Sequence, residues 1–373
     1  MAVAPASASA TSQPPVRIQL FHQSSQYRNW RYAKDGLEKV RQELNTLAVD
    51  RVRHLWEEER AQQAVAPTPA PANSSATASP AEAPSPSEIE YLTVADELSL
   101  VTYYLAQSAA MCGAFQFPEL VSATAQTYLK RFYLRNTCMD YHPKNVMLTC
   151  VFLATKTENF SISIDTFAGR VKEPPSVILS LEFLVSQSLR FEYKVHHAHL
   201  ALQGLILDMQ AAGVDLATLT AAAPKAHALV RASRLTSVEF IYTPAQIALA
   251  CFRLAEPSLA DKWLGAKEER LEKGKGKEGE DAGGTSQEQL EREALLMLLD
   301  ELQVVVSEAQ KNPVDKKRAA DVDKRLKLAR NPEKDPNSAL YKKRKAEEEA
   351  AREAKELARA AKNPLQDDGS VFD

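Results

Sequence analysis

The chain has 373 residues, enough for two folded domains and their tails, since domains usually contain about 100 to 150 residues. Its 46 Lys and Arg residues against 49 Asp and Glu residues give a net charge of −3, which excludes the strong overall positive field that drives nucleic-acid binding. The four cysteines show no C-x-x-C spacing, and the sequence contains neither an apolar run long enough for a membrane span nor a secretory signal. These features predict a reduced, soluble, intracellular protein.

The N-terminal part of the chain is predicted to contain one helix between two disordered stretches. Residues 1–16 have few large apolar side chains and are expected to be disordered. Within residues 17–64, apolar side chains recur at helical spacing between charged ones, which predicts an amphipathic helix of roughly 25 residues that needs a partner surface. Its stripe consists of Leu37, Val40, Leu44, Leu47, Val52 and Leu55. Residues 65–88 are rich in Ala, Pro and Ser and are predicted to be a flexible linker.

The stretch YHPKNVMLTCVFLATK, residues 141–156, is predicted to be the buried central helix of a first domain at residues 93–194. Proline fits the first helical turn because its missing N–H would be unpaired there in any case. The apolar side chains that follow point to more than one face, which is typical of a helix surrounded by others. Capping and stop signals predict two helices before this one and two after it, so the domain should be a compact five-helix bundle.

A similar stretch, YTPAQIALACFRLA, starts at Tyr242, which is 242 − 141 = 101 residues later. A repeat of this length indicates two similar helical domains in tandem, although two buried helices with the same start signal can also match by chance. The second domain is predicted at residues 195–310, with a Gly-rich charged insertion at 267–286. Residues 311–373 are predicted to be a charged helical tail with a disordered end. No stretch alternates convincingly at period two, so the predicted fold class is all-α, with two five-helix domains and flanking N- and C-terminal helices.

Lys156 stands out because it closes an otherwise apolar helix. A buried, unpaired ammonium group is very costly, so this side chain must reach solvent or find a partner. The residues alone leave two alternatives open: an ion pair within the domain, with Glu182, or a contact with another protein.

No residues can be singled out as a catalytic, metal or cofactor site. His196, His197 and His199 lack a fourth ligand at a suitable spacing, which favours polar residues at a helix start over a metal site. Residues 273–279, KGKGKEG, match neither the sequence nor the context of a phosphate-binding loop. An enzyme is therefore not expected.

Two helical bundles with a lysine at the end of the first central helix resemble the tandem cyclin boxes of the cyclin family. The resemblance rests on FHQSSQYRNW at 21–30, KRFYLRNTCMDYHPKNVMLTCVFLATKTENF at 130–160 and IYTPAQIALA at 241–250. It extends over residues 21–309, apart from the linker and the insertion. Within the family, these segments are similar to the regulatory subunit of the CDK-activating kinase of the general transcription factor TFIIH.

The resemblance implies a noncatalytic activator of a cyclin-dependent kinase that supports phosphorylation of the RNA polymerase II C-terminal domain and of other cyclin-dependent kinases. The implied partners are that kinase, the RING-finger assembly factor of the same complex and the TFIIH core, with no cofactor, no direct nucleic-acid contact and no membrane. The implied location is the nucleus. The basic run KKRK at 342–345 fits nuclear targeting, although a solvated helix face is the commoner origin of such runs.

The resemblance also implies a kinase-binding surface on the first box. Cyclin boxes carry a lysine in the third helix and a glutamate in the fifth that face the kinase, and these positions match Lys156 and Glu182. Phe191 matches an aromatic residue that packs against the same kinase helix, although a core position is an equally good interpretation. Glu158 and Phe160 are assigned to the same surface.

Two positions depart from the pattern of the family. Asn159 stands where many cyclins have an acid, so this position differs from the family pattern. Pro257 stands where the repeat would place Lys156, so only the first box is expected to bind the kinase.

Two other functions stay open. Another transcriptional cyclin, of the cyclin C type, is disfavoured by the long tails and the FHQSSQYRNW start. A TFIIB-like promoter-binding factor has the same fold, but it would require a basic face and usually a zinc ribbon, for which the sequence has no paired cysteines.

Overall fold

The computed structural model describes residues 20–65, 89–275, 284–312 and 314–362. Over these ranges the chain is helical and has no strand, which confirms the predicted all-α class. The predicted disordered N-terminus at 1–16, nearly all of the predicted linker at 65–88 and the end of the tail lie outside the described residues.

Two helices precede the first bundle, α1 (Ser25–Asn29) and α2 (Lys34–Val65). Helix α2 is longer than predicted and packs one apolar face against the first bundle. Ala48 and Val52 are buried in that contact, whereas Leu47, which the sequence placed on the stripe, is exposed.

The first bundle is built around one central helix, as predicted. His142 caps this helix by accepting a hydrogen bond from the backbone N–H of Lys144, and Pro143 occupies its first turn. Every residue at 146–155 is buried, because the helix packs against three neighbours. The five helices are α3 (Val94–Ala114), α4 (Glu119–Phe132), α5 (Pro143–Thr157), α6 (Ile164–Val171) and α7 (Pro175–Ser188), of which α5 is the central one.

The second bundle repeats this plan around α10, whose first turn is closed by a capping box between Thr243 and Gln246. Its helices are α8 (Ala198–Ala211), α9 (Leu216–Ser233), α10 (Pro244–Ala255), α11 (Pro257–Lys275) and α12 (Gly284–Lys311). The predicted insertion at 267–286 therefore begins inside a helix, since α11 continues to Lys275. Residues 276–283 lie outside the described ranges.

The C-terminal tail forms two helices, and the first of them belongs to the core of the first bundle. Helix α13 (Lys316–Ala329) packs against α3, and Arg325 donates to Asp96 at 2.9 Å. Helix α14 (Ala339–Lys362) is attached to α2 through Glu59, which accepts hydrogen bonds from its first backbone N–H groups. One narrow stripe of α13 is buried, which the charged composition of the tail did not indicate. It consists of Ala319, Val322, Leu326 and Ala329.

Glu97 on α3 carries a largely buried carboxyl group in the first bundle. It accepts a hydrogen bond from the backbone N–H of Cys138 at 3.0 Å, and burial raises its pKa from 4.5 to about 7. Between these two values the folded chain keeps the proton that the unfolded chain releases, so this group lowers stability as the pH rises from 4.5 to 7. Above pH 7 the full cost of the buried charge is present.

We therefore expect Glu97→Gln to raise the free energy of unfolding at pH 8 by about 1–3 kcal/mol and to have little effect at pH 5. Urea denaturation at the two pH values measures the difference. Glu182→Gln, a change at a half-buried surface pair, is the control. An equal effect of Glu97→Gln at both pH values would contradict the assignment of a buried charge.

Candidate functional site

Helices α5 and α7 bring Lys156 and Glu182 together at the surface of the first bundle. Their side chains form an ion pair, and the Lys156 ammonium also lies 4.4 Å from the centre of the Phe152 ring. The Lys156 side chain is 40% exposed and that of Glu182 is 24% exposed. An ion pair of this exposure contributes about 0–1 kcal/mol to stability. Because both side chains are partly exposed, a partner protein can reach them.

An exposed aromatic patch lies beside this pair. Phe191 is 55% exposed, and its ring centre is 6.2 Å from that of Phe183, which is 69% exposed. Leu179, one helical turn before Phe183, is exposed on the same face of α7. The structure therefore places Phe191 at the surface. The sequence alone had left both a surface and a core position open for this residue.

Phe191 is held outward by a backbone conformation that is unusual for an aromatic residue. Its φ is +58°, and that of Arg190 is +56°. The backbone N–H of Phe191 donates to the carbonyl oxygen of Ser186 at 2.9 Å, which closes the end of α7. For a bulky side chain the left-handed region is strained, which is frequent at functional surfaces.

Phe183 and Leu179 were not among the residues predicted for this surface. The signal was present in the sequence, because Leu179 and Phe183 lie on the side of α7 opposite the apolar side chains that pack into the core, which are the buried Ile178 and Val185 and the half-buried Leu181 and Leu184. A helix that packs on one side needs only one such stripe.

Glu158 and Phe160 both follow Lys156, but they point to different surroundings. Glu158 accepts a hydrogen bond from the Thr124 hydroxyl at 2.6 Å, and the same hydroxyl lies 2.8 Å from Nε2 of His197. Phe160 is exposed and makes an edge contact with Phe117. Phe160 is thus available at the surface, whereas the Glu158 carboxylate faces the junction of the two bundles. Their assignment to the kinase-binding surface stays a prediction.

The two departures from the family pattern have structural reasons. Asn159 has a φ of +57° at the end of α5, and Asn is one of the residues that adopt this region most readily. Helix α10 ends at Ala255, and Pro257 starts the next helix, so the second bundle has no helical turn equivalent to the one that carries Lys156.

His197 and His199 lie at the junction of the bundles with their rings stacked 5.2 Å apart. Burial lowers the pKa of His197 well below 6.5 and that of His199 to about 4, so both are neutral at physiological pH. Arg234 lies 3.2 Å from Nδ1 of His199 and pairs with Glu119 of the first bundle at 2.7 Å. In the described part of the chain, no group of three or more His, Cys, Asp or Glu side chains is arranged to hold a metal ion.

The segment before α2 joins the two bundles. Trp30 is almost completely buried, and its Nε1–H donates to the Glu192 carboxylate at 2.6 Å. The Arg131 guanidinium lies 4.7 Å from the Trp30 ring centre. On the other side, the backbone N–H of Tyr32 donates to the carbonyl oxygen of Phe240 at 2.7 Å. FHQSSQYRNW, at residues 21–30, was one of the segments on which the resemblance to the cyclin family rests, but its position between the two bundles was not predicted.

Comparison with known protein families gives two adjacent matches. Residues 101–194 match the family described as "Cyclin, N-terminal domain", and residues 197–307 match "Cyclin C-terminal domain". None of the described helices is long and apolar enough to cross a membrane.

Three curated proteins are similar in sequence. Cyclin mcs2 of Schizosaccharomyces pombe is 30% identical over 342 residues, which is 88% of this chain and 91% of that protein. Cyclin CCL1 of Saccharomyces cerevisiae is 31% identical over 66% of this chain and 61% of its own length. Cyclin-H of Xenopus laevis is 34% identical over 43% of this chain and 53% of its own length.

Two solved structures are similar in fold. One is a chain of the CAK complex of Chaetomium thermophilum bound to ATP-γ-S, with a TM-score of 0.67, 26% sequence identity, and coverage of 95% of this chain and 97% of that one. The other is a chain of the yeast TFIIK complex of Kin28, Ccl1 and Tfb3, with a TM-score of 0.53, 26% identity, and coverage of 76% and 99%.

Proposed function

The chain belongs to the cyclin family, and we propose that it is the cyclin-H-type regulatory subunit that binds and activates the cyclin-dependent kinase of a TFIIH-associated CDK-activating kinase. The similarity to mcs2 over 88% of the chain supports this proposal, as does the similarity to a chain of the CAK complex over 95% of it. The same similarities favour it over a cyclin-C-type subunit and over a TFIIB-like factor. Catalysis stays in the kinase, and this chain is a noncatalytic activator.

The observation that carries the proposal is the partly exposed Lys156–Glu182 pair beside the Phe183–Phe191 patch. A kinase helix that packs here would bury two aromatic rings, and buried aromatic residues are typical anchors of protein interfaces. The ion pair offers an ammonium group and a carboxylate to polar groups on that helix. Lys156, Glu182 and Phe183 lie on α5 and α7, which pack into the core of the first bundle, and Phe191 directly follows the end of α7.

Activation requires that this surface binds the active state of the kinase more tightly than the inactive state. To shift the kinase from 1:99 to 99:1 in favour of the active state, the difference in binding free energy must be about 5.5 kcal/mol. Anchors of roughly 2 kcal/mol or more each would supply it if they contact the kinase only in the active position of its helix.

The remaining parts of the proposal concern the assembly. A RING-finger assembly factor and the TFIIH core are proposed as further partners, and the nucleus as the location. The RNA polymerase II C-terminal domain and other cyclin-dependent kinases are the proposed substrates of the complex. The TFIIK structure, which contains Kin28 and Tfb3 beside Ccl1, supports a kinase and an assembly factor as partners.

Phosphorylation of a peptide substrate by a purified cyclin-dependent kinase of the activating type, with and without this chain, tests the proposal. We expect a stable complex and strong stimulation. Absence of both would overturn it, and a gel shift with promoter DNA at physiological salt would then test the TFIIB-like alternative.

Replacing Phe191 by Gly should separate stability from function. Glycine adopts a positive φ without strain, so the free energy of unfolding should stay the same or rise by up to about 1 kcal/mol. Kinase binding should weaken roughly 30-fold, because the exposed ring is lost. Urea denaturation and titration of the kinase measure the two effects. Unchanged binding would remove Phe191 from the proposed surface.

A further inference from the structure

A cavity lies where helix α2, the first bundle and the second bundle meet, and we call it the α2–α3 cavity. Its walls come from α2, α3, α4 and the loop at 235–237 that follows α9, and it contains about 540 Å³ of space including its open mouth. Leu98 is the most exposed of its apolar side chains, at 36%, and marks the mouth. The apolar lining consists of Leu44, Val94, Leu98, Val101, Leu105 and Leu235.

Arg41 of α2 brings a positive charge to the α2–α3 cavity. Its Nη2 donates to the Ser237 hydroxyl at 2.8 Å, and within the described ranges it forms no ion pair. Glu38 attracts the guanidinium group electrostatically, but burial has the larger effect and lowers the pKa of Arg41. A guanidinium group has more N–H donors than one hydroxyl can accept, so donors are left for an anion. An anion that used them would offset the cost of burying the charge.

The other ionisable groups in the lining of the α2–α3 cavity do not supply this anion. Lys130 is a second cation, which repels the charge of Arg41, and it is paired with Glu239 at 3.1 Å. Glu97 is the acidic group of the lining, and burial raises its pKa to about 7. Its carboxyl group is therefore neutral in about half of the molecules at pH 7. The cavity as a whole thus favours a negatively charged ligand.

The lining also specifies the shape and charge of that ligand. Ligand pockets are mostly apolar, with a few polar groups that fix the orientation of the ligand. The two oxygens of a carboxylate fit the donors of a guanidinium group, and the nearby Glu97 favours a monoanion over a doubly charged phosphate. The space is narrow, so an unbranched aliphatic chain fits between the apolar side chains better than a branched one.

We propose that the α2–α3 cavity binds a short unbranched aliphatic carboxylate, whose carboxylate pairs with Arg41 and whose chain lies against α3 and Leu235. Such a ligand contacts α2, the first bundle and the second bundle at once, so its binding stabilises their arrangement. The proposed kinase-binding residues are not part of this lining. The inference therefore does not rest on the proposed function, and its test uses no kinase.

Isothermal titration calorimetry of the full chain with sodium hexanoate at pH 7 tests the proposal. We expect saturable binding at one site, and binding of 1-hexanol, the neutral molecule of the same length, that is weaker by about tenfold or more. Arg41→Met keeps an unbranched side chain without the charge and should weaken hexanoate binding to a similar extent. Leu98→Trp places a larger side chain at the mouth and should also weaken it.

The matched control is Arg60→Met, the same change at an exposed arginine of α2. At 1.5 Å per residue, Arg60 lies roughly 28 Å from Arg41 along the helix axis, so this variant should bind hexanoate as wild type does. Circular dichroism verifies that all three variants are folded.

Four results would overturn the proposal. The first is the absence of saturable hexanoate binding to wild type at millimolar concentrations. The second is equally tight binding of 1-hexanol, because the carboxylate would then contribute nothing. The third is unchanged binding in a folded Arg41→Met or Leu98→Trp variant, which would place the ligand elsewhere. The fourth is an equal loss in Arg60→Met, because a general loss of positive charge would then explain the effect.

Discussion

Replacement of Lys156 by Ala is expected to reduce kinase binding by about 2 kcal/mol or more, roughly 30-fold, and to abolish most of the stimulation at limiting concentrations of the chain. The fold should tolerate the change, because the pair with Glu182 is partly exposed and such pairs contribute about 0–1 kcal/mol. Peptide phosphorylation and kinase titration measure the function, and urea denaturation measures the stability. Glu182→Ala should behave in the same way.

The chain contains a matched control for this experiment. Lys144, at the other end of the same helix, pairs with Glu173 at 2.6 Å and is also half exposed. Lys144→Ala therefore removes an equivalent ion pair from α5 away from the proposed surface. Stimulation should be unchanged in this variant. If it falls as much as in Lys156→Ala, the loss reflects a general effect on α5, and the assignment of Lys156 to the interface is wrong.

Replacement of Trp30 by Ala should lower the free energy of unfolding by about 3–5 kcal/mol, the usual cost of removing a large buried aromatic side chain. Three losses coincide there: the buried ring, the hydrogen bond to Glu192 and the contact with the Arg131 guanidinium. Urea denaturation followed by circular dichroism measures the change. Small-angle X-ray scattering should show greater separation of the two bundles, because Trp30 lies between them.

Two further variants distinguish packing from hydrogen bonding at this position. Trp30→Phe keeps most of the ring but removes the donor to Glu192, so we expect an intermediate loss of about 1–3 kcal/mol. Leu47→Ala, on the exposed side of α2, should be within about 0.5 kcal/mol of wild type. A Trp30→Ala chain as stable as wild type would show that the N-terminal segment does not hold the bundles together.

The two bundles are also joined by polar contacts that do not depend on Trp30. The Lys130 ammonium is buried and donates to the carbonyl oxygens of Arg234 and Thr236 at 2.8 and 3.1 Å, and it pairs with Glu239. Buried groups of this kind are costly unless each has a partner, so they fix one relative position of the bundles. The proposed kinase-binding surface on α5 and α7 is thereby kept in a constant orientation to the second bundle.

The sequence by itself determined the two central helices and the tandem plan. Proline at the first turn, the capping residues and the apolar runs are local signals, and they placed α5 and α10 correctly because helix starts depend on backbone groups within four residues. The position of Lys156 at the end of α5 was likewise predicted, whereas its ion pair with Glu182 was one of two alternatives that the residues left open. The kinase-binding role of these residues stays a prediction that the Lys156 experiment tests.

Only the tertiary structure decided which apolar faces are covered. Periodicity shows which side chains share a face, but α7 and α12 each carry two apolar faces, and packing alone selects the one that is buried. Phe183 was for this reason not recognised as exposed, and the sequence left both a surface and a core position open for Phe191. The burial of α13 and the position of Trp30 depend on contacts between residues more than a hundred positions apart, and no local pattern in the sequence encodes such contacts.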